Sequence, residues 1–404
     1  MSVRLVVWFE ILRSRLWFIP ALFAAGAAIA AIVTVTIDRT LGPDATGPFV
    51  FGGGPESARS ILSTIAAAML SFTGLVFSVT MLVLQLASSQ LSPRVTRTFL
   101  RDRKNQVVLG VFVATFVYAL LVLREVRSLT DLGFVPSIAV WWSFILLLAS
   151  VAAFIYYIDH MAHAMRASTV IVSVAAETRD AIERRFPDPV GREAPSDLPS
   201  PPIRAVILGP DRPGTLQAVD LERLDRIARQ SGAILELTIA VGDALSGAAP
   251  LVRVRGGGAV DDDDVRGALT FGTERTMDQD PAFGFRQLVD IADRALSPGI
   301  NDPTTATQVI DQVHDLLRRL AVRHIPSPQR VDDSGALRVI VPAPDWADHV
   351  DLAVDEIRIY GGGSIQVVRA LRRMLDDLET VVPYGRRAVI RRQRALLPRD
   401  PARD

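Results

Sequence analysis

The chain has 404 residues, 49% of them hydrophobic, and a mean hydropathy of +0.28. That is too apolar for an ordinary soluble protein and too polar for one lying wholly in lipid, so a membrane part joined to a soluble part is expected. Lys plus Arg and Asp plus Glu balance at 44 each, which gives no pull toward nucleic acid, and the lack of cysteine excludes disulfides and thiolate-bound metals.

Four apolar stretches come first, over residues 16–37, 61–87, 107–123 and 136–158. Each is near the ~20 residues that cross a hydrocarbon core as helix. The first is long and is followed by three more, which reads as a retained helix and not a cleaved signal. Arg4, Arg13 and Arg15 precede the first stretch, and Arg94, Arg97, Arg101, Arg103 and Lys104 lie between the second and third. The other two loops carry only Arg39 and Arg59, and Arg124 and Arg127. The positive-inside rule therefore places both termini in the cytoplasm and the Gly42-Pro43 and Gly52-Gly53-Gly54 turns outside. No Asp, Glu, Lys, Arg or His falls inside the four stretches. Carriers coupled to protons need such groups at membrane depth, so a passive channel or an anchoring and assembling part remains.

The second helix carries an unusual stripe. Ser60, Thr64, Ala67, Ser71, Gly74, Ser78, Met81, Gln85 and Ser89 recur at steps of three or four and share a sector about 100° wide. One reading is close helix packing, which favours small residues in lipid. The other is a pore lining, because hydroxyls and an amide replace part of an ion's water shell. Thr73 and Thr80 fall opposite and are expected to bond their own backbone. At the exit of the fourth helix, Tyr156 and Tyr157 suit an interfacial belt, and Asp159 and His163 are spaced to pair. His160, His163 and one carboxylate are too few for a metal site, so no metal or cofactor is expected.

The cytoplasmic half divides into a helical extension and linker over 166–202, a small β-rich subdomain over 203–260 and a helical domain over 261–404. Helix is expected to run on from Arg166 to about Phe186, and a Pro- and Ser-rich linker follows. Strands are expected over 203–208, 215–219, 234–241 and 250–254, with a helix over 221–230 capped by Asp220. The stretch LELTIAVGDALSGAAPLVRVRG resembles half of the barrel-sandwich hammerhead of lipoyl and biotinyl carriers, without their lysine. Further helices are expected over 263–273, 282–296, 303–322, 346–359, 364–378 and 385–397, with a strand at 337–341. The four acids from Asp261 to Asp264 suit a helix N-terminus.

Between two of these helices runs RALSPGINDPTTATQ, residues 294–308. Gly299 suits a helix end, and Asp302-Pro303 a helix start. Asn301, Thr304 and Thr305 have two readings: a small-anion site on the free N–H groups of a first turn, or a polar junction locking helices to Gln279 and Asp280. Gly362 and Ser364, in the Gly-rich turn after Tyr360, offer a second candidate, although no Gly-Lys-Ser/Thr follows. Esterase and zinc-protease signatures are missing, so no enzyme is expected. Arg386, Arg387, Arg391, Arg392 and Arg394 face either anionic headgroups or solvent.

The segments SFTGLVFSVTMLVLQLASSQLSPRVTRTFLRD and QDPAFGFRQLVDIADRALSPGINDPTTATQVID resemble those of a bacterial membrane family, domain-of-unknown-function family 2254. The resemblance spans nearly the whole chain. It implies an inner-membrane protein with a cytoplasmic C-terminal region, and no defined activity. The fold class expected is thus a four-helix α-helical membrane protein with a mostly helical α+β cytoplasmic region. A homo-oligomeric, channel-like function is expected, with a membrane-anchored ligand sensor or scaffold as the alternative. The expected partners are the lipid bilayer and a small anionic ligand.

Overall fold

The computed structural model describes residues 17–41, 51–90, 103–126, 134–164, 166–190 and 201–398, with no side-chain placement for 86–90 or 164. Several residues on which the orientation rests (Arg4, Arg13, Arg15, Arg94, Arg97, Arg101 and Arg127), together with Gly42-Pro43 and most of the linker, lie outside the described residues. The chain divides into two units, Met1–Arg166 and Ala167–Asp404.

The first unit holds four helices, each long and apolar enough to cross a membrane: α1 (Phe18–Leu41), α2 (Pro55–Gln90), α3 (Arg103–Glu125) and α4 (Ser137–Ala164). Backbone groups in lipid have no water to bond, so runs of Ala, Leu, Val and Phe free of interior proline settle as helix. α3 packs against the other three. It approaches α1 closely at Gly110, where a Cβ would stand 2.9 Å from the Phe23 ring. Small residues permit such approaches between membrane helices. The interior is filled: Phe72, Phe112 and Phe154 gather with ring centroids 4.9–6.5 Å apart, and Leu62, Met69 and Val122 are buried beside them.

The second unit opens with α5 (Ala167–Arg185), a helix separate from α4. Then come β1 (Ile203–Leu208), β2 (Gly214–Val219), α6 (Leu221–Ser231), β3 (Ile234–Leu237), β4 (Ala244–Leu245) and β5 (Pro250–Arg255). These are followed by α7 (Asp262–Arg266), β6 (Leu269–Gly272), α8 (Pro281–Leu296), α9 (Pro303–Ala321), β7 (Gln329–Val331) and β8 (Leu337–Ile340). The chain ends with α10 (Trp346–Gly361), α11 (Ile365–Val381), a 3-10 turn at Tyr384–Arg386 and α12 (Arg387–Ala395). One sheet has the order β1-β5-β3-β8-β7, with β3 and β8 parallel; a second has the order β4-β2-β6. The sheets bury Leu216, Leu224, Leu235, Leu251, Val252 and Val339. α8 and α9 form a hairpin against which α5, α10 and α11 pack.

Three local differences from the pattern-based expectation have physical causes. The helix expected over 263–273 stops after one turn, because Arg223 donates to Gly267 O at 3.0 Å and Leu269 to Gly272 pair with β2. The strand expected over 234–241 ends at Leu237, where Thr238 turns its hydroxyl onto Pro250 O at 2.7 Å. The sheet also draws β7 and β8 from beyond residue 260, a pairing set by topology and not by local sequence.

Candidate functional site

The stripe on α2 points away from its own bundle. Ser60, Thr64, Ala67, Ser71, Gly74, Ser78, Met81 and Gln85 are all exposed, and a Cβ added at Gly74 would meet nothing within 4 Å. Ser89 lies outside the described side chains. The opposite face of the same helix supplies the core through Ala58, Leu62, Ile65, Met69, Val76 and Val83. Thr64, Ser71 and Ser78 donate to carbonyls four residues back at 2.7, 3.1 and 2.9 Å. Each hydroxyl keeps an acceptor lone pair for an outside partner.

Several polar groups facing inward are bonded to one another. Thr115 and Ser150 share a 2.8 Å hydrogen bond and are both buried. Thr80 meets the Tyr157 hydroxyl at 2.8 Å, and Thr34 meets Tyr118 at 2.9 Å. Thr73 and Thr80 bond their own helix as expected, but Tyr157 belongs to the interior and not to an interfacial belt. Tyr156 is exposed and stacks on His160 with ring planes 3° apart. His163 stands 3.5 Å from the Asp159 carboxylate, the pairing expected from their spacing.

Asp38 is a buried acid that apolarity alone does not reveal, lying one residue past the first expected span. It is 6% exposed and accepts from Ile138 N and Ala139 N, each at 2.9 Å. It thus caps α4 from another helix, satisfying donors that every helix start leaves free. An acid at the end of one span was the available signal.

In the stretch 294–308 the turn chemistry is explicit. Asn301 is exposed with φ +49°, in the left-handed region that Asn tolerates better than most residues. Asp302 accepts from Thr304 N at 3.1 Å, Thr305 N at 3.0 Å and the Thr305 hydroxyl at 2.6 Å. These bonds hold its carboxyl below the usual range, the Thr305 hydroxyl contributing most. The donors that an anion would use are therefore engaged by Asp302. Gln279 bonds both backbone groups of Val219, and Asp280 pairs with Arg275, so both have partners apart from Asn301. At the glycine-rich turn, a Cβ on Gly361 would lie 2.4 Å from Val367, which accounts for a glycine there. Gly362 follows α10 as its C-cap, and Ser364 begins α11 without a side-chain cap bond.

The C-terminal arginines each have protein partners. Arg386 is buried and donates to the carbonyls of Leu320, Ala321 and Arg323 at 3.3, 3.0 and 3.0 Å. Arg387 donates to Val382 O, while Arg391, Arg392 and Arg394 pair with Glu379, Asp351 and Asp376. Between α8 and α10, Arg286 bonds Asp290 at 2.8 Å and Glu356 at 2.6 Å, and Asp293 stands 3.6 Å away. Burial, and then Glu356, push the Asp293 carboxyl up to about 8.

Four apolar helices with a hydrogen-bonded interior, carrying an α+β unit, define an integral membrane protein associated with the lipid bilayer. The chain belongs to the family described as "Predicted membrane protein (DUF2254)", which matches residues 13–377. It is 35% identical to "Uncharacterized protein Mb1321c" of Mycobacterium bovis over 406 residues, covering 98% of this chain and 78% of that protein. The same figures hold for "Uncharacterized protein Rv1290c" of Mycobacterium tuberculosis. No solved structure matches.

Proposed function

We propose that the protein is a homo-oligomeric, channel-like protein of the bacterial inner membrane, with cytoplasmic termini and a regulatory unit in residues 167–404. The observation that carries this reading is the outward stripe of α2. Against lipid tails, small polar side chains gain nothing that Leu would not exceed. Against the same stripe of another copy they allow close backbone approach, and around an axis they offer hydroxyls to a permeating ion. The filled interior of each bundle supports an axis between copies over one within them. For residues 235–256 the half-hammerhead reading is retained, supported by the antiparallel pairing of β3 with β5.

The second reading is a membrane-anchored sensor or scaffold. It is favoured by the hydroxyls of the stripe bonding back onto their own helix, which plain packing also permits. The test is ion flux into vesicles reconstituted with purified protein. Flux abolished by Ser71→Leu or Ser78→Leu, with the oligomer intact, supports the channel. Absence of flux from a wild-type oligomer supports the scaffold.

A further inference from the structure

In the second unit, the end of α5, the first turn of α8, residues 325–326, the stretch 341–344 and His349 of α10 enclose a cavity of about 40 Å³. Phe186, Ile325, Pro281, Pro326, Pro342 and Pro344 make most of its wall apolar. Proline carries no N–H, so those four positions give a ligand no backbone donor. Arg185, Gln279, Asp280 and His349 also line the cavity. Two of these side chains are engaged by the fold. Gln279 bonds both backbone groups of Val219. Asp280 is paired through both oxygens with Arg275 and caps α8 through Phe283 N, so its charge is already matched.

The other two are not. His349 is 1% exposed, and its ring meets Phe186 and Phe285 edge to face at 6.3 and 5.9 Å between centroids. Its Nδ1 lies 2.6 Å from Asp345 O. A carbonyl only accepts, so Nδ1 carries the hydrogen and Nε2 carries the lone pair. Nε2 forms no hydrogen bond among the described residues. Burial lowers the proton affinity of the imidazole, which keeps Nε2 an acceptor. Arg185 is half-buried, with its guanidinium 5.9 Å over the Phe186 ring, and forms no hydrogen bond or ion pair among the described residues. The carbonyls of Phe186 and Pro187 beside it are taken by Arg323. One apolar-walled cavity thus carries an unused buried acceptor and an unused cationic fork. Buried polar atoms are costly to leave unmatched.

We propose that this cavity binds a short hydroxycarboxylate such as glycolate, its carboxylate on Arg185 and its hydroxyl donating to His349 Nε2. The guanidinium fork matches the two oxygens of a carboxylate. The hydroxyl supplies the donor that the imidazole lacks and that a plain carboxylate does not have. The size agrees: a water takes roughly 10–15 Å³ of such space, so the cavity admits about three waters or one small acid, and not a nucleotide or a sugar phosphate. Asp280 does not repel the ligand, because Arg275 neutralises it. The site lies wholly within residues 167–404 and stands whether or not α2 lines a pore.

The experiment is thermal melting of the purified full chain in neutral-lipid nanodiscs, with sodium glycolate titrated in parallel with sodium acetate at matched ionic strength. Glycolate is expected to give a saturable rise of about 3–5 °C at about ten times its dissociation constant. Acetate has the same charge without the hydroxyl and is expected to bind about tenfold more weakly. His349→Asn keeps a donor for Asp345 O and removes Nε2, so glycolate binding falls to the level of acetate while acetate binding is unchanged. Arg185→Gln abolishes the rise with both acids. It breaks no hydrogen bond of the fold, so its ligand-free melting temperature stays at the wild-type value, and it carries the test if the buried His349 variant does not fold. No rise with glycolate, equal rises with glycolate and acetate, a glycolate preference kept in His349→Asn, or a full rise kept in Arg185→Gln overturns the proposal.

Discussion

At the scale of single residues, backbone conformation and hydrogen bonding decide what each polar side chain is free to do. Asn301 holds φ +49° at the surface, a conformation that costs most L residues about 1–2 kcal/mol. Asn301→Gly is therefore expected to leave melting nearly unchanged, while Asn301→Val lowers stability by about 1–2 kcal/mol. Asp302→Ala, which removes the cap, costs about 1 kcal/mol. Denaturant titration of the three variants checks this, and a stability loss in Asn301→Gly equal to that in Asn301→Val would show that the side chain and not the backbone matters. Asp302 and Pro303 were legible in the sequence as a helix start. The left-handed turn at Asn301 was not, because Asn also occurs with ordinary backbone angles and only the folded turn shows its φ of +49°.

Between elements, two features depend on neighbours distant in sequence. Asp38 of α1 caps α4, a hundred residues on. Asp38→Ala leaves the Ile138 and Ala139 N–H groups without that acceptor and is expected to destabilise the membrane unit by about 1–3 kcal/mol. Melting in detergent, followed through the tryptophans Trp141 and Trp142 of α4, measures it. Asp293, between α8 and α10, keeps its proton in the folded state up to about pH 8, whereas the unfolded chain releases it near pH 4. The native state binds the extra proton in that window, so this group's contribution to stability falls as pH rises from about 4 to 8 and is flat above. Asp293→Asn carries no such proton. Its melting temperature is expected to gain on the wild type progressively across that window; parallel pH profiles would contradict the assignment. Most of the individual helices were readable from periodicity and caps, the one expected over 263–273 excepted. The cross-helix cap and the raised Asp293 carboxyl were not, since each requires knowing which helices touch.

For the whole molecule, composition pointed to a membrane part joined to a soluble part, the four apolar runs gave the four helices, and the α2 stripe stood out by its spacing. What the sequence left open was which way that stripe faces. Packing fixes it: Leu62, Ile65, Met69, Val76 and Val83 of α2 are buried in the bundle, and the stripe is left outside together with Leu70, Leu75, Phe77 and Leu82. Gly74→Ala adds a methyl into open space and is expected to preserve both the fold and assembly, whereas Gly74→Leu preserves the fold and weakens assembly. Size-exclusion with light scattering separates the two outcomes. The account's central claim is that copies meet through this stripe, and the chain's lack of cysteine permits a direct test. Single cysteines are placed in turn at positions 67 to 81 of α2 in native membranes and oxidised. A disulfide needs Cβ atoms about 3.5–4.5 Å apart. The account predicts cross-linked dimers peaking at Ser71, Gly74 and Ser78 with helical period and falling to background at Met69 and Val76. Uniform cross-linking along the helix, or none at the stripe, would contradict it.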